Sequence, residues 1–194
     1  RNSDKMKIHS VSFEDKMRIL EFDFKTLRNF EKINNDLEKD ILSRGDEQNK
    51  KTNVKAMMTS WQMADQFKSF QDLLKVIVIH VLPKYDNLEI VSGGNAKIIA
   101  TGMWGAIYRK GDYTIEHNHI GSQYSFVYYV KSEKDAAPII FTSPGKIELK
   151  PCTGNLLLWD GRYNHMVPEH ISDNPRIIVA GNLNWQLPDK RKYV

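Results

Sequence analysis

The sequence predicts an α+β protein in which helices come first and strands follow. In two stretches before residue 83, apolar residues recur at helical spacing. After Gly93-Gly94, short segments rich in β-branched and aromatic residues alternate with polar ones, and turn residues separate them at close intervals. The 194 residues suit one domain, spanning 1–194, with a sizeable core.

The N-terminal region, about residues 1–92, is expected to be a helical support. Residues 7–13 and 18–24 alternate loosely and could each form a short strand. Leu27, Phe30, Leu37 and Ile41 recur at helical multiples, which predicts an amphipathic helix over 26–43. A polar loop follows over 45–53, and the apolar segment 57–61 has no clear type. A second helix is predicted over 64–82, ended by Pro83.

The C-terminal region is predicted to be built from strands. They are expected over 97–109, 113–119, 124–131, 139–142, 146–149, 155–159, 165–167 and 176–185. Short strands at close spacing are typical of sandwiches and barrels. We therefore expect a double-stranded β-helix (jelly-roll) core over about 93–187, with the N-terminal helices packed on one sheet.

Composition excludes several classes of protein. Hydrophobic residues make up 41% and charged residues 27%, as in an ordinary globular protein, and the net charge is +4. Positive residues are interleaved with acids, so a nucleic-acid partner is not indicated. The longest apolar run, 73–82, contains Lys75 and His80, which argues against a membrane span. The single cysteine, Cys152, favours a reducing, cytoplasmic location, the host cytoplasm if the protein is viral.

The segment 108–119 carries the first sign of chemistry. On a strand, residues two apart point to the same face, so His117 and His119 would present neighbouring imidazoles. Two neutral imidazoles can bind one transition metal, with a third ligand from elsewhere. The best candidate is His165, which follows the buried-looking run 156–159 and a turn. Asp160, Glu169 and His170 compete with it for that role.

A second sign is Arg176, which opens the last predicted strand. Arg176 shares one strand face with Ile178, Ala180, Asn182 and Asn184, and that face is polar at three of five positions. Such a face is unusual for a core unless it lines a pocket. An arginine beside a metal is suited to hold a carboxylate, because its guanidinium makes two parallel charged hydrogen bonds.

Together these motifs resemble a known family. The chain has Tyr108-x-x-Gly111-x-Tyr113-x-x-x-His117-x-His119, then Tyr128-Tyr129, then Gly154-x-Leu156-Leu157-Leu158-Trp159, then His165 and Arg176. This order resembles the 2-oxoglutarate- and Fe(II)-dependent oxygenases. It is most similar to members found in bacteria and bacteriophages, and more distantly to the prolyl hydroxylases. The resemblance covers roughly residues 100–185.

The resemblance implies Fe(II), the cosubstrate 2-oxoglutarate and a hydroxylase. Such an enzyme converts 2-oxoglutarate and dioxygen to succinate and carbon dioxide while it oxidises a primary substrate, which the sequence does not identify. By position, His117 and His165 match metal ligands, Arg176 and Tyr129 match residues that bind the far carboxylate, and Tyr108 matches a residue of the same pocket. Asn182 and Asn184 are expected to contact cosubstrate or substrate. No general acid or base is implied.

His119 departs from the family pattern, which has Asp or Glu at that position. Two other functions therefore stay open. One is a three-histidine cupin-type metalloenzyme that works without 2-oxoglutarate, against which Arg176 and Tyr129 argue. The other is a non-catalytic binding or virion-associated protein with a degenerate site. If His119 is a ligand, metal binding should weaken as the pH falls through about 6.5, the pKa of an unperturbed histidine.

Overall fold

A computed structural model describes residues 6–11, 17–86, 97–133 and 135–186. The chain is α+β and rich in antiparallel sheet, as predicted. Within the described ranges, no helix is long and apolar enough to cross a membrane. The predicted boundary between the two regions, at about residues 92–93, lies outside the described residues.

The N-terminal region contributes strands to the sheets as well as helices. Strand β1 spans Met6–Val11 and β2 spans Met17–Asp23, which confirms the two early strands among the described residues. Strands β3 (Val54–Lys55) and β4 (Met57–Met58) follow the polar loop. Helix α1 covers Phe30–Leu42, so its predicted start at residue 26 is wrong. A separate 3-10 turn, capped by the Asp23 carboxylate, occupies 24–26 and ends in an extended Leu27.

The second predicted helix is broken into pieces. Helix α2 covers Met63–Gln66, α3 covers Lys68–Val76, a π-helical segment covers Ile77–Val81, and α4 covers Leu82–Asp86. The predicted stop at Pro83 is therefore wrong. The chain continues past Pro83 because this residue is the second of α4, in a first turn where a missing N–H is tolerated.

The remaining eight strands agree with the predicted positions to within one or two residues. They are β5 (Lys97–Tyr108), β6 (Tyr113–His117), β7 (Tyr124–Lys131), β8 (Ile139–Ser143), β9 (Ile147–Leu149), β10 (Asn155–Asp160), β11 (Asn164–Val167) and β12 (Arg176–Gln186). A seven-stranded sheet has the order β1-β2-β10-β7-β12-β5-β4. A five-stranded sheet has the order β3-β6-β11-β8-β9.

The seven-stranded sheet has a different apolar cluster on each face. The outer cluster lies between this sheet and the helices and includes Phe22, Leu37, Phe70, Phe126 and Val179. The inner cluster lies between the two sheets and includes Ile19, Trp104, Tyr129, Phe141 and Trp159. Because side chains alternate along each strand, one strand supplies both clusters. The predicted packing of the helices on one sheet is confirmed by the outer cluster.

Strand β6 contains an irregularity that matters for the site. His165 pairs with His117 and Val167 pairs with Thr114, so three steps on β6 oppose two on β11. This extra residue is a β-bulge, which reverses the alternation of side chains. Thr114 and His117 consequently point toward the same interior space, while Glu116 is exposed and accepts a hydrogen bond from the Thr142 hydroxyl at 2.5 Å.

Candidate metal centre and carboxylate pocket

Three histidines converge between the sheets. His117 ends β6, His165 lies on the neighbouring strand β11, and His119 follows two residues beyond the end of β6. One nitrogen of each imidazole lies within 4.8 Å of the others, and the ring centroids are 4.4–5.3 Å apart. The prediction that β6 runs to residue 119 is wrong, so His119 reaches the cluster through a turn.

Backbone contacts orient two of the imidazoles. His117 Nδ1 lies 2.7 Å from the Ile115 carbonyl oxygen, and His165 Nδ1 lies 3.0 Å from the Tyr163 carbonyl oxygen. A carbonyl only accepts hydrogen bonds, so each Nδ1 carries the proton and each Nε2 keeps a free lone pair. Histidines that bind metals are commonly held in this way by a partner on the other ring nitrogen.

The environment keeps all three imidazoles neutral. Burial is the main cause, and it lowers the pKa of His165 to about 3 and that of His119 to about 4. Burial also lowers the pKa of His117. A neutral imidazole is the form that binds a metal. Proton competition for the site therefore begins at lower pH than the value of about 6.5 expected from an unperturbed histidine.

A tightly packed turn holds His119 in place. Its backbone N–H donates to the Gly161 carbonyl at 2.7 Å, and the Asn118 amide donates to the Asn164 side chain at 2.7 Å. A Cβ on Gly161 would lie 2.3 Å from the Ser122 carbonyl oxygen and 2.9 Å from that of His119. Only glycine fits this approach. The Asn182 amide lies 3.4 Å from His119 Nδ1, which adds a side-chain contact.

Arg176 lies deeper between the sheets, in a group with two tyrosines. Its guanidinium stacks over the Tyr108 ring at 4.2 Å, and its Nη1 donates to the Ala137 carbonyl at 2.7 Å. Arg176 is 2% exposed, its Nε has no hydrogen-bond partner, and no carboxylate of the described residues pairs with it. Burial raises the pKa of Tyr108 and of Tyr129, so both hydroxyls stay protonated.

A cavity of about 50 Å³ lies beside the histidines. Besides the three imidazoles it is bordered mainly by apolar and aromatic side chains, namely Val54, Trp104, Tyr108, Thr114, Phe126, Val127, Ile139, Trp159, Val167, Ile178, Ala180 and Gly181. Tyr108 and Thr114 hydrogen-bond to each other through their hydroxyls at 2.6 Å. Tyr108 thus borders the cavity and also stacks on Arg176, which itself does not border it.

The two asparagines have different surroundings. Asn182 accepts a hydrogen bond from the Ser125 hydroxyl at 2.8 Å and lies beside His119. Asn184 is bound to backbone atoms of the turn after His119: its Oδ1 accepts from Gln123 N–H and its Nδ2 donates to the Gly121 carbonyl. Asn182 therefore contacts the histidine cluster, whereas the amide of Asn184 is used by the turn.

The competing ligand candidates lie apart from the three histidines. Asp160 is paired with Arg162, whose Nη2 is 2.8 Å from the carboxylate. Glu169 is exposed, and the buried His170 has its Nε2 2.7 Å from the Asn174 carbonyl oxygen. Among the described residues, the only group of three or more potential ligands close enough to share a metal is His117, His119 and His165.

Sequence reasoning did not identify Trp104 and Trp159 as members of the site. The Trp159 ring lies 5.1 Å from His165 and the Trp104 ring lies 6.3 Å from His119. Both are buried, and neither indole Nε1 has a hydrogen-bond partner. Their positions on inward faces could have been found from the strand periodicity, but a missing partner cannot be read from a sequence.

The residues present fit a divalent metal and an oxygen-rich ligand. Three imidazoles with free nitrogen lone pairs suit a first-row transition metal. The unpaired Nε of Arg176 marks a buried cation that lacks an anionic partner, and an arginine in that state is suited to a carboxylate. The metal and the carboxylate are favoured by the chemistry of the donor atoms and not by a particular distance between them.

Comparison with known proteins shows likeness at the level of fold. No protein-family profile matches the chain, and no curated protein matches it in sequence. Among solved structures, a Pseudomonas putida prolyl-4-hydroxylase superposes with a TM-score of 0.63 at 13% identity, over 87% of this chain and 92% of that chain. The collagen prolyl hydroxylase of Paramecium bursaria Chlorella virus-1, in complex with 2-oxoglutarate, has a TM-score of 0.58 at 15% identity, over 85% and 94%.

A third neighbour has a different activity. SnoN, a non-heme α-ketoglutarate-dependent epimerase of nogalamycin biosynthesis, superposes with a TM-score of 0.62 at 9% identity, over 86% of this chain and 77% of that chain. The fold is therefore the one found in 2-oxoglutarate- and Fe(II)-dependent oxygenases, prolyl hydroxylases among them. The resemblance carried by the sequence motifs is confirmed at this level.

Proposed function

We propose that the protein is an Fe(II)- and 2-oxoglutarate-dependent dioxygenase, a hydroxylase whose primary substrate is unknown. The observation that carries the proposal is the buried guanidinium of Arg176, whose Nε has no partner, on the same inner sheet face that underlies three converging imidazoles. A metal site alone fits many functions. A metal site combined with a buried arginine that lacks an anionic partner fits a carboxylate cosubstrate.

In this proposal His117, His119 and His165 hold Fe(II), the first and last through Nε2. Bound Fe(II) supplies the redox chemistry that activates dioxygen. The protein's contribution is to hold three neutral nitrogens in place without an anionic ligand, and to surround the site with apolar walls that exclude water. A dipositive ion held in this way attracts an anionic ligand more strongly than the usual site with one carboxylate.

The far carboxylate of 2-oxoglutarate is assigned to Arg176, with Tyr129 and Tyr108 as hydroxyl donors. Protonated tyrosines can donate hydrogen bonds, and burial keeps both in that form. Tyr108 must exchange its bond with Thr114 or tilt away, because it separates Arg176 from the cavity. Asn182 is proposed to face the cosubstrate beside His119. Asn184 is proposed to reach substrate only if the turn at Gly121 opens.

The finer description of the fold is part of the same proposal. Two facing antiparallel sheets with the site between them support a double-stranded β-helix core over about 93–187 in a single domain of 1–194. Residues before 93 are proposed to support that core. The helices do so through the outer cluster, and β1 to β4 do so by pairing at the sheets.

A second function is favoured by one specific observation. Arg176 does not border the cavity, and its Nη1 already binds the Ala137 carbonyl. A three-histidine cupin-type metalloenzyme that uses dioxygen without 2-oxoglutarate would need no access to Arg176. In that case the arginine would serve only to stack on Tyr108.

The test is succinate formation with Fe(II), 2-oxoglutarate and dioxygen, together with the metal content of the purified protein. We expect succinate from the wild-type protein and none from His165→Ala. His80→Ala is the matched control, because His80 is exposed and lies outside the histidine cluster. Bound metal without succinate would favour the cupin-type enzyme, and neither metal nor succinate would favour a non-catalytic binding protein.

A further inference from the structure

Two tryptophans on the inner face of the seven-stranded sheet flank the cavity from different strands. Trp159 on β10 pairs with Ser125 on β7, and Trp104 on β5 pairs with Ala180 on β12. In the sheet order β10-β7-β12-β5, three strand spacings separate them, which is about 14 Å between backbones. Between them, the small side chains of Val127 and Ala180 border the cavity. The two indoles therefore stand on either side of a stretch of the sheet that carries small side chains at the cavity.

Each of these two tryptophans has an indole N–H that donates to no acceptor. Trp159 is 2% exposed and Trp104 is 4% exposed, and each indole Nε1 is buried without a hydrogen-bond partner. An indole nitrogen can only donate. Leaving one such group buried and unpaired is unfavourable, and two around one cavity are rarer still. Elsewhere around this cavity the hydroxyls of Tyr108 and Thr114 satisfy each other.

The charge of the site indicates which ligand supplies the acceptors. Three neutral imidazoles leave both positive charges of a divalent metal uncompensated, which favours an anionic ligand in the cavity. A carboxylate bound there brings both negative charge and acceptor oxygens. Hydrogen bonds from neutral donors to a charged oxygen are among the stronger ones available to a protein.

We propose that Trp159 and Trp104 are ligand-binding residues whose indole N–H groups donate to oxygen atoms of the carboxylate ligand held at the three-histidine metal site. This inference rests on the proposed function, since it takes 2-oxoglutarate as that ligand. Trp159 approaches from the His165 side and Trp104 from the His119 side. The two indoles are assigned to the metal-bound end of the ligand, whereas Arg176 is assigned to its far carboxylate.

The chain is well suited to a direct test, because it has four tryptophans and hence four indole N–H signals. The full chain is labelled with ¹⁵N, and spectra are recorded alone, with Zn(II), and with Zn(II) plus 2-oxoglutarate. Single Trp→Phe variants assign the signals. We expect the signals of Trp104 and Trp159 to move downfield only when 2-oxoglutarate is added. The signal of Trp185, which does not border the cavity, is the internal control, whereas the Trp61 ring packs against Trp104 at 4.6 Å and can follow its shift.

Calorimetry on the same samples gives the affinity. We expect Trp159→Phe and Trp104→Phe each to weaken 2-oxoglutarate binding about tenfold, equivalent to about 1.4 kcal/mol, with Zn(II) affinity unchanged. Trp185→Phe is the matched control and should bind as wild type. The wild-type spectra remain decisive if a variant fails to fold.

Three results would overturn the proposal. If 2-oxoglutarate binds and neither indole signal moves, the indoles are not donors to it, and the proposed function stands. If Zn(II) alone produces the full shift, metal-bound water is the acceptor and the carboxylate is not. If calorimetry detects no 2-oxoglutarate binding to the Zn(II) protein, this inference and the proposed function both fail.

Discussion

The two faces of the seven-stranded sheet are formed by the same strands, but they differ in the hydrogen bonding of the polar groups that they bury. On the outer face the Tyr128 hydroxyl donates to the Asn34 side chain at 3.0 Å. On the inner face, Arg176, Trp104 and Trp159 each keep a buried nitrogen without a partner. The Tyr128 hydroxyl thus has a partner on the outer face, whereas the inner face leaves these three nitrogens unpaired at a cost in stability. This difference supports the proposal that a ligand binds at the inner face.

The largest effect on stability is expected from the outer cluster. Phe70→Ala removes a fully buried ring on α3 and should lower the free energy of unfolding by about 3–5 kcal/mol, measured by urea denaturation. Metal affinity of the folded protein should not change, because the ring is on the far side of the sheet. The control Ile79→Ala, at a side chain that is 61% exposed, should stay within about 0.5 kcal/mol. Loss of metal binding in folded Phe70→Ala would show that the two faces are coupled.

Lowering the pH should destabilise the protein through the histidines beside the inner face. The folded-state pKa values of His119 and His165, about 4 and about 3, lie below the value of an unfolded histidine. The unfolded chain therefore takes up protons first as the pH falls. The stability that these neutral histidines contribute is complete above about pH 6.5 and is lost on acidification toward their folded pKa values.

We expect the metal-free protein to lose about 2 kcal/mol for each of these two histidines between pH 6.5 and pH 5. Urea denaturation at several pH values measures this. His119→Asn combined with His165→Asn should flatten the profile over that range. An equally steep profile in the double variant would assign the acid sensitivity to other groups.

The Arg176→Lys variant tests whether Arg176 binds the far carboxylate of 2-oxoglutarate. Lysine keeps the charge and loses the planar fork, so 2-oxoglutarate binding should weaken by about 1.5–3 kcal/mol. Metal affinity should be nearly unchanged, because Arg176 is not part of the histidine cluster. Calorimetry with the wild-type and mutant proteins measures both. Equal 2-oxoglutarate affinity would remove Arg176 from the site.

Variants of His119 test whether the third imidazole is a ligand. His119→Ala should weaken Fe(II) binding at least about tenfold, or about 1.4 kcal/mol. His119→Asp should still bind, because it restores a carboxylate at this position and adds a negative charge. Anaerobic metal titrations measure these affinities. If His119→Ala matches the wild type while His117→Ala abolishes binding, water rather than His119 fills that coordination position.

Substitution of Cys152 is expected to have the smallest effect. It is exposed, its Sγ lies 3.5 Å from Lys25 Nζ, and it is not part of the histidine cluster. Cys152→Ser should change stability by less than about 0.5 kcal/mol and leave metal binding and succinate formation as in the wild type. Altered turnover in this variant would mean that the lysine contact activates the thiol.

Sequence periodicity located ten of the twelve described strands, all but β3 and β4, and the first long helix, because alternation and helical repeats are local properties of the chain. It also singled out His117, His119, His165 and Arg176. Their residue types suit metal and carboxylate binding whatever surrounds them. The broken second helix was not predictable in this way, since apolar spacing does not distinguish an α turn from the π turn that precedes Pro83.

Only the tertiary structure decided how the site is put together. The bulge in β6 turns Thr114 and His117 the same way, and the close approach at Gly161 brings His119 back after the strand has ended. The unpaired nitrogens of Arg176, Trp104 and Trp159 are a property of everything around them. A sequence states which donors a chain has, but whether a donor finds an acceptor depends on contacts between residues far apart in the chain.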